Sequence, residues 1–284
     1  MDVELRQLRC LVAIVDQGTF TDAAIMLGVS QAAVSRNLAS LERTLGVRLL
    51  RRTSREVTPT ASGVRVVVHA RRVLGEVSDL VREATSGHAS LRIGYAWSAL
   101  GRHTAAFQRQ WAQEHPDTDL HMIRTNSATA GLAEGHCDLA VVRNTVEDRR
   151  FDAAIIGLER RMCALSVDDP LAERRSLRLA DLSDRILLID RRTGTTTPEL
   201  WPQGCRPATE ETHDVDDWLT VISSGRCVGM TAESTAHQYP RPGVAYRPVI
   251  DAEPIAVRLV SWRDDPHPVT QTAIELLTAL YRGD

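Results

Sequence analysis

The stretch TFTDAAIMLGVSQAAVSRNLASLERTLGVRLLRR, residues 19–52, carries two helix signals joined by one glycine and ends in an arginine cluster. Thr19 can cap a first helix whose apolar positions are Ala23, Ala24 and Leu27. Gly28 interrupts the pattern where a left-handed backbone is needed, and glycine supplies it without strain. Ser30 caps the next helix, which places Val34, Leu38, Leu41 and Leu45 on one face before Gly46 closes it. Upstream, Leu5, Leu8, Val12 and Val15 predict a helix over 4–17 that stops at Gly18. Downstream, 47–57 reads as a short hairpin with a basic tip, Arg51, Arg52, Thr53, Ser54 and Arg55.

Two short helices joined by a glycine turn set the second of them into the major groove of DNA. With Val34 and Leu38 packed behind, the outer face offers Gln31, Ala32, Ser35, Arg36 and Asn37, and Thr21 begins the preceding helix beside them. Gln and Asn suit adenine, Arg suits guanine, Ser serves either, and an Ala methyl suits thymine. Arg51, Arg52, Thr53 and Arg55 on the hairpin are expected to meet phosphates or the minor groove.

Thr58-Pro59-Thr60 breaks the chain, and Thr60 can cap a further helix. Over 61–85, Val67, Ala70, Leu74, Val77, Val81 and Ala84 repeat at alternating spacings of three and four, the seam of a coiled coil. Val67, Ala70, Leu74, Val77 and Val81 are therefore expected to pair two copies of the chain.

Bulk properties fit this reading. The 284 residues are 43% hydrophobic and 25% charged, as in ordinary globular proteins. The formal charge of −3 divides unevenly, about +3 over 1–88 and −6 over 89–284, which suits a nucleic-acid module joined to a more acidic partner. All 34 basic residues are Arg. No apolar run reaches spanning length, and the acidic start, Met-Asp-Val-Glu, lacks an export signal, so a cytoplasmic protein without a membrane partner is expected. The five cysteines stand singly, which argues against disulfide scaffolds and zinc knuckles. Nine histidines show no metal-ligand spacing, and GxSxG, GxGxxG and GK[ST] motifs are missing, so no metal, cofactor or enzymatic activity is expected.

Beyond residue 89 the texture alternates. LRIGYA, LHMIRT and CDLAVV read as strands, with helices over 99–113 and 127–134 between them, which implies a parallel sheet. DAAIIGLE and RMCALSV continue it, ILLID begins a second sublobe with a helix over 215–224, and AVRLVSW leads to a terminal helix over 269–281. The fold class is α+β multi-domain: a winged helix-turn-helix over 1–58, a linker helix over 59–88 and a two-lobed α/β domain over 89–284. The first lobe is expected over 89–166 and 263–284, the second over 167–262.

The blocks LRQLRCLVAIVDQGTFTDAAIMLGVSQAAVSRNLASLERTLGVRLLRRTSREVTPTASG and VDDWLTVISSGRCVGMT resemble those of LysR-type transcriptional regulators. Layout and length match over essentially the whole chain, although Ala32 stands where many members carry Pro. The resemblance implies a periplasmic-binding-protein-like effector domain, a homodimer that assembles to a homotetramer, a dyad-symmetric double-stranded operator, and contact with RNA polymerase.

A ligand of such a domain sits outside the strand ends, where helix N-termini point inward. That selects Trp97, Ser98, Ala99, Leu100 and Gly101, then Asn126 and Ser127, and from the other lobe Thr195, Thr196, Met230 and Thr231. Hydroxyls and amides suit a small organic acid or other anion, with Arg102, Arg124, Arg143 and Arg192 as counter-charges and Trp97 as a stacking surface. The alternative is a redox sensor that uses Cys205 and Cys227, since peroxide-sensing members carry a cysteine pair in the second lobe.

Overall fold

The computed structural model describes residues 3–52, 57–86, 89–192 and 194–283. Thr53 and Arg55, expected to contact DNA, lie outside the described residues, and of Arg52 only the backbone is described. The chain forms two compact units, residues 1–89 with 133–136 and residues 90–132 with 137–284.

In the first unit, α1 (Leu5–Gln17) starts at a reciprocal cap in which Gln7 Oε1 accepts from the Glu4 amide at 3.0 Å. It stops at Gly18, φ 75°. α2 (Phe20–Leu27) is capped by Thr19, whose hydroxyl accepts from the Asp22 amide at 3.0 Å. Gly28, φ 65°, turns the chain, and its amide bonds back to the end of α2. α3 (Gln31–Leu45) begins at Ser30, which accepts from the Ala33 amide at 3.2 Å. Leu8, Leu11, Ile14, Ala23, Ala24, Val34, Leu38, Leu41 and Leu49 form one core from these three helices and the wing.

The wing is β1 (Leu50–Arg52) paired antiparallel with β2 (Val57–Pro59). Glu42 fixes it to α3 by accepting from the Leu49 and Leu50 amides at 2.7 and 3.2 Å. Thr60 caps α4 (Ala61–Ser86) through the Gly63 amide at 2.9 Å. Gly63 lies so close to the wing that a Cβ there would overlap the Leu49 carbonyl.

The residues of the expected seam on α4 differ in burial. Val67 and Ala70 are buried against α1 in the same chain, and Leu74 packs on that core as well. That part of the face is covered within the chain. Elsewhere on α4, Val73, Leu80 and Val81 are exposed and Val77 is half-buried; Val77 and Val81 continue the face of Val67, Ala70 and Leu74, while Val73 and Leu80 lie on its flank.

In the second unit, β3 (Ala89–Tyr95) leads through a 3-10 turn at Gly101–His103 to α5 (Thr104–Glu114) and β4 (Thr118–Arg124). β5 (Leu139–Val142) runs parallel to β3. The segment 127–134, expected as a helix, is a run of turns, with Ala130 at φ 52° and Gly131 at φ 95°. Two left-handed residues in succession prevent a helix there.

β6 (Phe151–Glu159) and β7 (Arg161–Ser166) come next, then β8 (Ile186–Ile189), β9 (Ala208–Glu211), α6 (Val215–Ser223), β10 (Gly229–Ala232), α7 (Glu233–Gln238), β11 (Val244–Pro248), β12 (Ile255–Trp262) and α8 (Thr270–Arg282). The first lobe is a five-stranded sheet in the order β4-β3-β5-β12-β6, and β12 is antiparallel to both its neighbours. The sheet is therefore mixed, not wholly parallel. Phe107, Trp111, Leu139, Val257, Leu259 and Leu277 fill the core it shares with α5 and α8.

The second lobe joins the sheet β10-β7-β11 to the parallel pair β8-β9, around Trp201 and Trp218. The lobe boundaries expected at 166 and 263 move accordingly. β7 pairs with β10 and β11, whereas β12 pairs with β5 and β6, so the chain crosses near residue 160 and again just before Ile255.

Replacing Gly63 by Ala is expected to lower stability by roughly 1–3 kcal/mol, because α4 must move off the Leu49 carbonyl. Urea unfolding of the full chain, followed by far-UV circular dichroism, measures the shift.

Candidate nucleic-acid interface and ligand cleft

On α3 the apolar positions point inward and set what remains outside. Val34, Leu38 and Leu41 are buried, and Gln31, Ala32 and Arg36 are exposed with Ser35 half-buried beside them. Thr21 is exposed at the start of α2. Arg51 is exposed on the wing, where Arg48 joins it. Asn37 behaves differently from the expectation: it is half-buried, and its side chain bonds the Cys10 thiol within the core. Ala39 and Arg43 extend the exposed strip toward the end of α3. Sequence reasoning missed them, although their spacing from Arg36, three and then four residues, is the signal that puts them on that strip.

In the second unit a cleft opens where the ends of β3, β4 and β5 face β8, β10 and the loop at 194–196. Of the residues expected there, Trp97, Ser98, Ser127, Thr195, Thr196, Met230 and Thr231 line it. Ala99 and Leu100 are buried elsewhere in the first lobe, Gly101 borders a separate cavity, and Asn126 does not line the wall. Trp218, Asn144, Thr235 and Asp190 were missed. Trp97 and Trp218 meet edge to face, 5.3 Å between ring centroids, and the Trp97 indole donates to Asp190 Oδ2 at 3.2 Å. The free space between the walls is about 50 Å³.

A model described as "Bacterial regulatory helix-turn-helix protein, lysR family" matches residues 5–64, and one described as "LysR substrate binding domain" matches 84–282. The chain belongs to the LysR family of transcriptional regulators. It is a DNA-binding regulator with an effector-binding domain, not an enzyme. It is 32% identical to the HTH-type transcriptional regulator BudR of Raoultella terrigena, over 92% of this chain and 95% of that one. It is 31% identical to the small neutral protease regulatory protein of Streptomyces coelicolor, over 98% and 92%. Among solved structures, full-length CbnR in complex with its target DNA has the same fold, with a TM-score of 0.70 and 22% identity, over 98% of this chain and 99% of that one.

The electrostatics of this LysR-family cleft differ from the expectation. Arg143 reaches the wall, but Glu159 holds it through Nε and Nη2 at 3.0 and 2.8 Å, and the Ser98 and Ala99 carbonyls accept from it at 2.8 Å each. Glu159 also accepts from Ser234 Oγ at 2.6 Å and Tyr281 Oη at 2.8 Å. Burial alone would raise the Glu159 pKa, but the Arg143 charge and the hydrogen bonds from Arg143, Ser234 and Tyr281 outweigh it, so the carboxyl sits below its ordinary range. Arg124 pairs with Asp214 at 2.9 Å, Arg192 donates to the His213 carbonyl, and Arg102 borders the other cavity. None of the four arginines lines the cleft unengaged.

Cys205 is exposed and Cys227 is buried, both as free thiols. Burial, and then the charge of Glu210, push the Cys227 thiol up.

The Arg143–Glu159 pair predicts a pH dependence. Because the folded pKa of Glu159 is depressed, its contribution is fully present above the ordinary value of 4.5 and is lost as pH falls through the folded value. Glu159→Gln should cost roughly 3–5 kcal/mol at pH 7, because it leaves Arg143 buried without its partner. Urea titrations at several pH values should show the deficit shrinking below pH 4.5.

Proposed function

We propose that the chain binds a dyad-symmetric operator as a homodimer or a dimer of dimers, and that a small anionic metabolite held in the cleft changes how it does so. Gln31, Ala32, Ser35 and Arg36 read base edges in the major groove. Arg51 and Arg52, with Thr53 and Arg55, contact phosphate or the minor groove, while Asn37 contributes to packing behind the face. The observation that carries this reading is the exposed polar strip on α3, backed by the fully buried Val34, Leu38 and Leu41. The target DNA named for CbnR supports it.

An acid in the cleft would be held by hydroxyls and backbone amides, since the arginines are engaged. The redox alternative is the weaker reading, because Cys227 is buried with its thiol pushed up, and such a thiol is a poor thiolate source. Pairing of two copies uses the outer stripe of α4, Val73, Val77, Leu80 and Ala84, with Val81 beside it. The assembled regulator works in the cytoplasm and contacts RNA polymerase.

Selection of bound sequences from a random pool tests the groove assignment. Gln31→Ala or Ser35→Ala should change the preferred bases at roughly 1–3 kcal/mol per contact, whereas Arg51→Gln should weaken all sequences alike and flatten the salt dependence by about one phosphate contact. An unchanged preference in Gln31→Ala would remove α3 from the groove.

Leu80→Glu should convert the dimer to monomer in sedimentation velocity, because it places a charge in the proposed seam. A dimer that persists in this variant would assign pairing to another surface.

A further inference from the structure

Pockets that hold drug-sized ligands measure roughly 300–1,000 Å³. The space between the lobes is about 50 Å³, so a ligand of that size enters only if the walls part. Contacts between the end of β4 and the segment before α6 span the two lobes. Arg124 Nη2 meets Asp214 Oδ2 at 2.9 Å, and Arg124 Nε donates to the Ala96 carbonyl at 3.2 Å in its own lobe. Asn126 Nδ2 donates to the His213 carbonyl, which also accepts from Arg192. These bonds fix the Asn126 amide, since the reverse orientation would set its oxygen against that carbonyl.

Two properties make this contact responsive. The side chains of Arg124 and Asp214 are 34% and 37% exposed, so solvent and salt reach the pair. Asn126 Oδ1, by contrast, is buried and has no hydrogen-bond partner among the described residues. A stranded acceptor is unfavourable and is relieved when water reaches it. The closed arrangement therefore sets an ion pair and a hydrogen bond against one orphaned oxygen, a balance that a small input can tip. Nearer the crossovers the lobes are held by buried contacts instead, Ser98 Oγ to Ser234 Oγ at 2.9 Å and to Thr235 Oγ1 at 3.3 Å.

We propose that Arg124 and Asn126 form, with His213 and Asp214, a clasp across the lobes that must open for a ligand to enter and whose closure ligand binding favours. The proposal rests on the reading of the cleft as an effector site. Ligand exchange is then gated by these four residues, and the contacts around Ser98 stay in place as the pivot. Asp214 also caps α6 by accepting from the Asp216 amide at 2.8 Å, so it is left unaltered in the test.

Acrylamide quenching of tryptophan fluorescence in the full chain reads the opening, because Trp97 lines the cleft. Arg124→Gln should raise the open fraction roughly two- to fivefold at low salt, and Arg124→Lys should retain most of the closure. Raising salt from about 0.05 to 0.5 M should increase quenching of the wild type toward the Arg124→Gln level and leave that variant unchanged. Asn126→Ala should raise quenching independently of salt and serves if Arg124→Gln does not fold.

Wild-type quenching in both variants at low salt, or an equal salt response in wild type and Arg124→Gln, would overturn the clasp. The assay contains neither DNA nor effector, so its failure leaves the regulator reading standing. A clasp that behaves as described in a chain without operator affinity would overturn that reading alone.

Discussion

The rotation of α3 about its own axis is the constraint on which the DNA-facing surface depends. Val34, Leu38 and Leu41 are fully buried against α1 and α2, and each such side chain contributes roughly 1.5–3 kcal/mol on burial. A turn of the helix by one residue position, about 100°, would bring Ser35 into the core and Val34 into water. The exposed set Gln31, Ala32 and Arg36 is therefore not chosen independently of the core but is its complement. The caps at Thr19 and Ser30 and the left-handed Gly28 set where α2 ends and α3 begins, and Glu42 holds the wing against the far end of α3. Each local device acts on the same surface.

In the effector-binding unit the corresponding constraint is the double crossing between lobes. β6 ends in Glu159, with only Arg160 between it and the start of β7 in the other lobe, and that carboxylate meets Arg143 from the end of β5, Tyr281 from α8 and Ser234 from α7. A buried charge held by several donors has few alternative arrangements, because loss of any one leaves an unpaired polar group in a poorly solvated place. The crossover is thereby a fixed point. Movement of the lobes is left to the contacts farther out, where side chains are partly solvated.

Local signals in the sequence carried far. The first three helices, the caps at Thr19 and Ser30 and the left-handed glycines were legible because each depends on residues within one turn of the helix end. What was missed depends on distant partners. RMCALSV looks the same whether it continues one sheet or begins another, and only its pairing with β10 and β11 decides. α4 carries two apolar stripes, and periodicity does not say which one α1 will cover; Val67 and Ala70 proved to be the covered set. Asn37 reads as a groove residue until Cys10 comes into contact with it. Three of the arginines offered as counter-charges are engaged by groups far away in sequence, Glu159, Asp214 or the His213 carbonyl. Of the cleft hydroxyls, Ser98, Ser127, Thr195, Thr196 and Thr231 were legible, and Thr235, on α7, was not.

Methylation protection of the upstream promoter fragment tests the central claim most directly, because guanine N7 lies in the major groove and adenine N3 in the minor. With α3 as the reading element, the full chain should protect guanine N7 in two clusters about one helical turn, or a whole number of turns, apart. Protection confined to adenine N3, or no protection under conditions where the fragment is retained, would contradict the account.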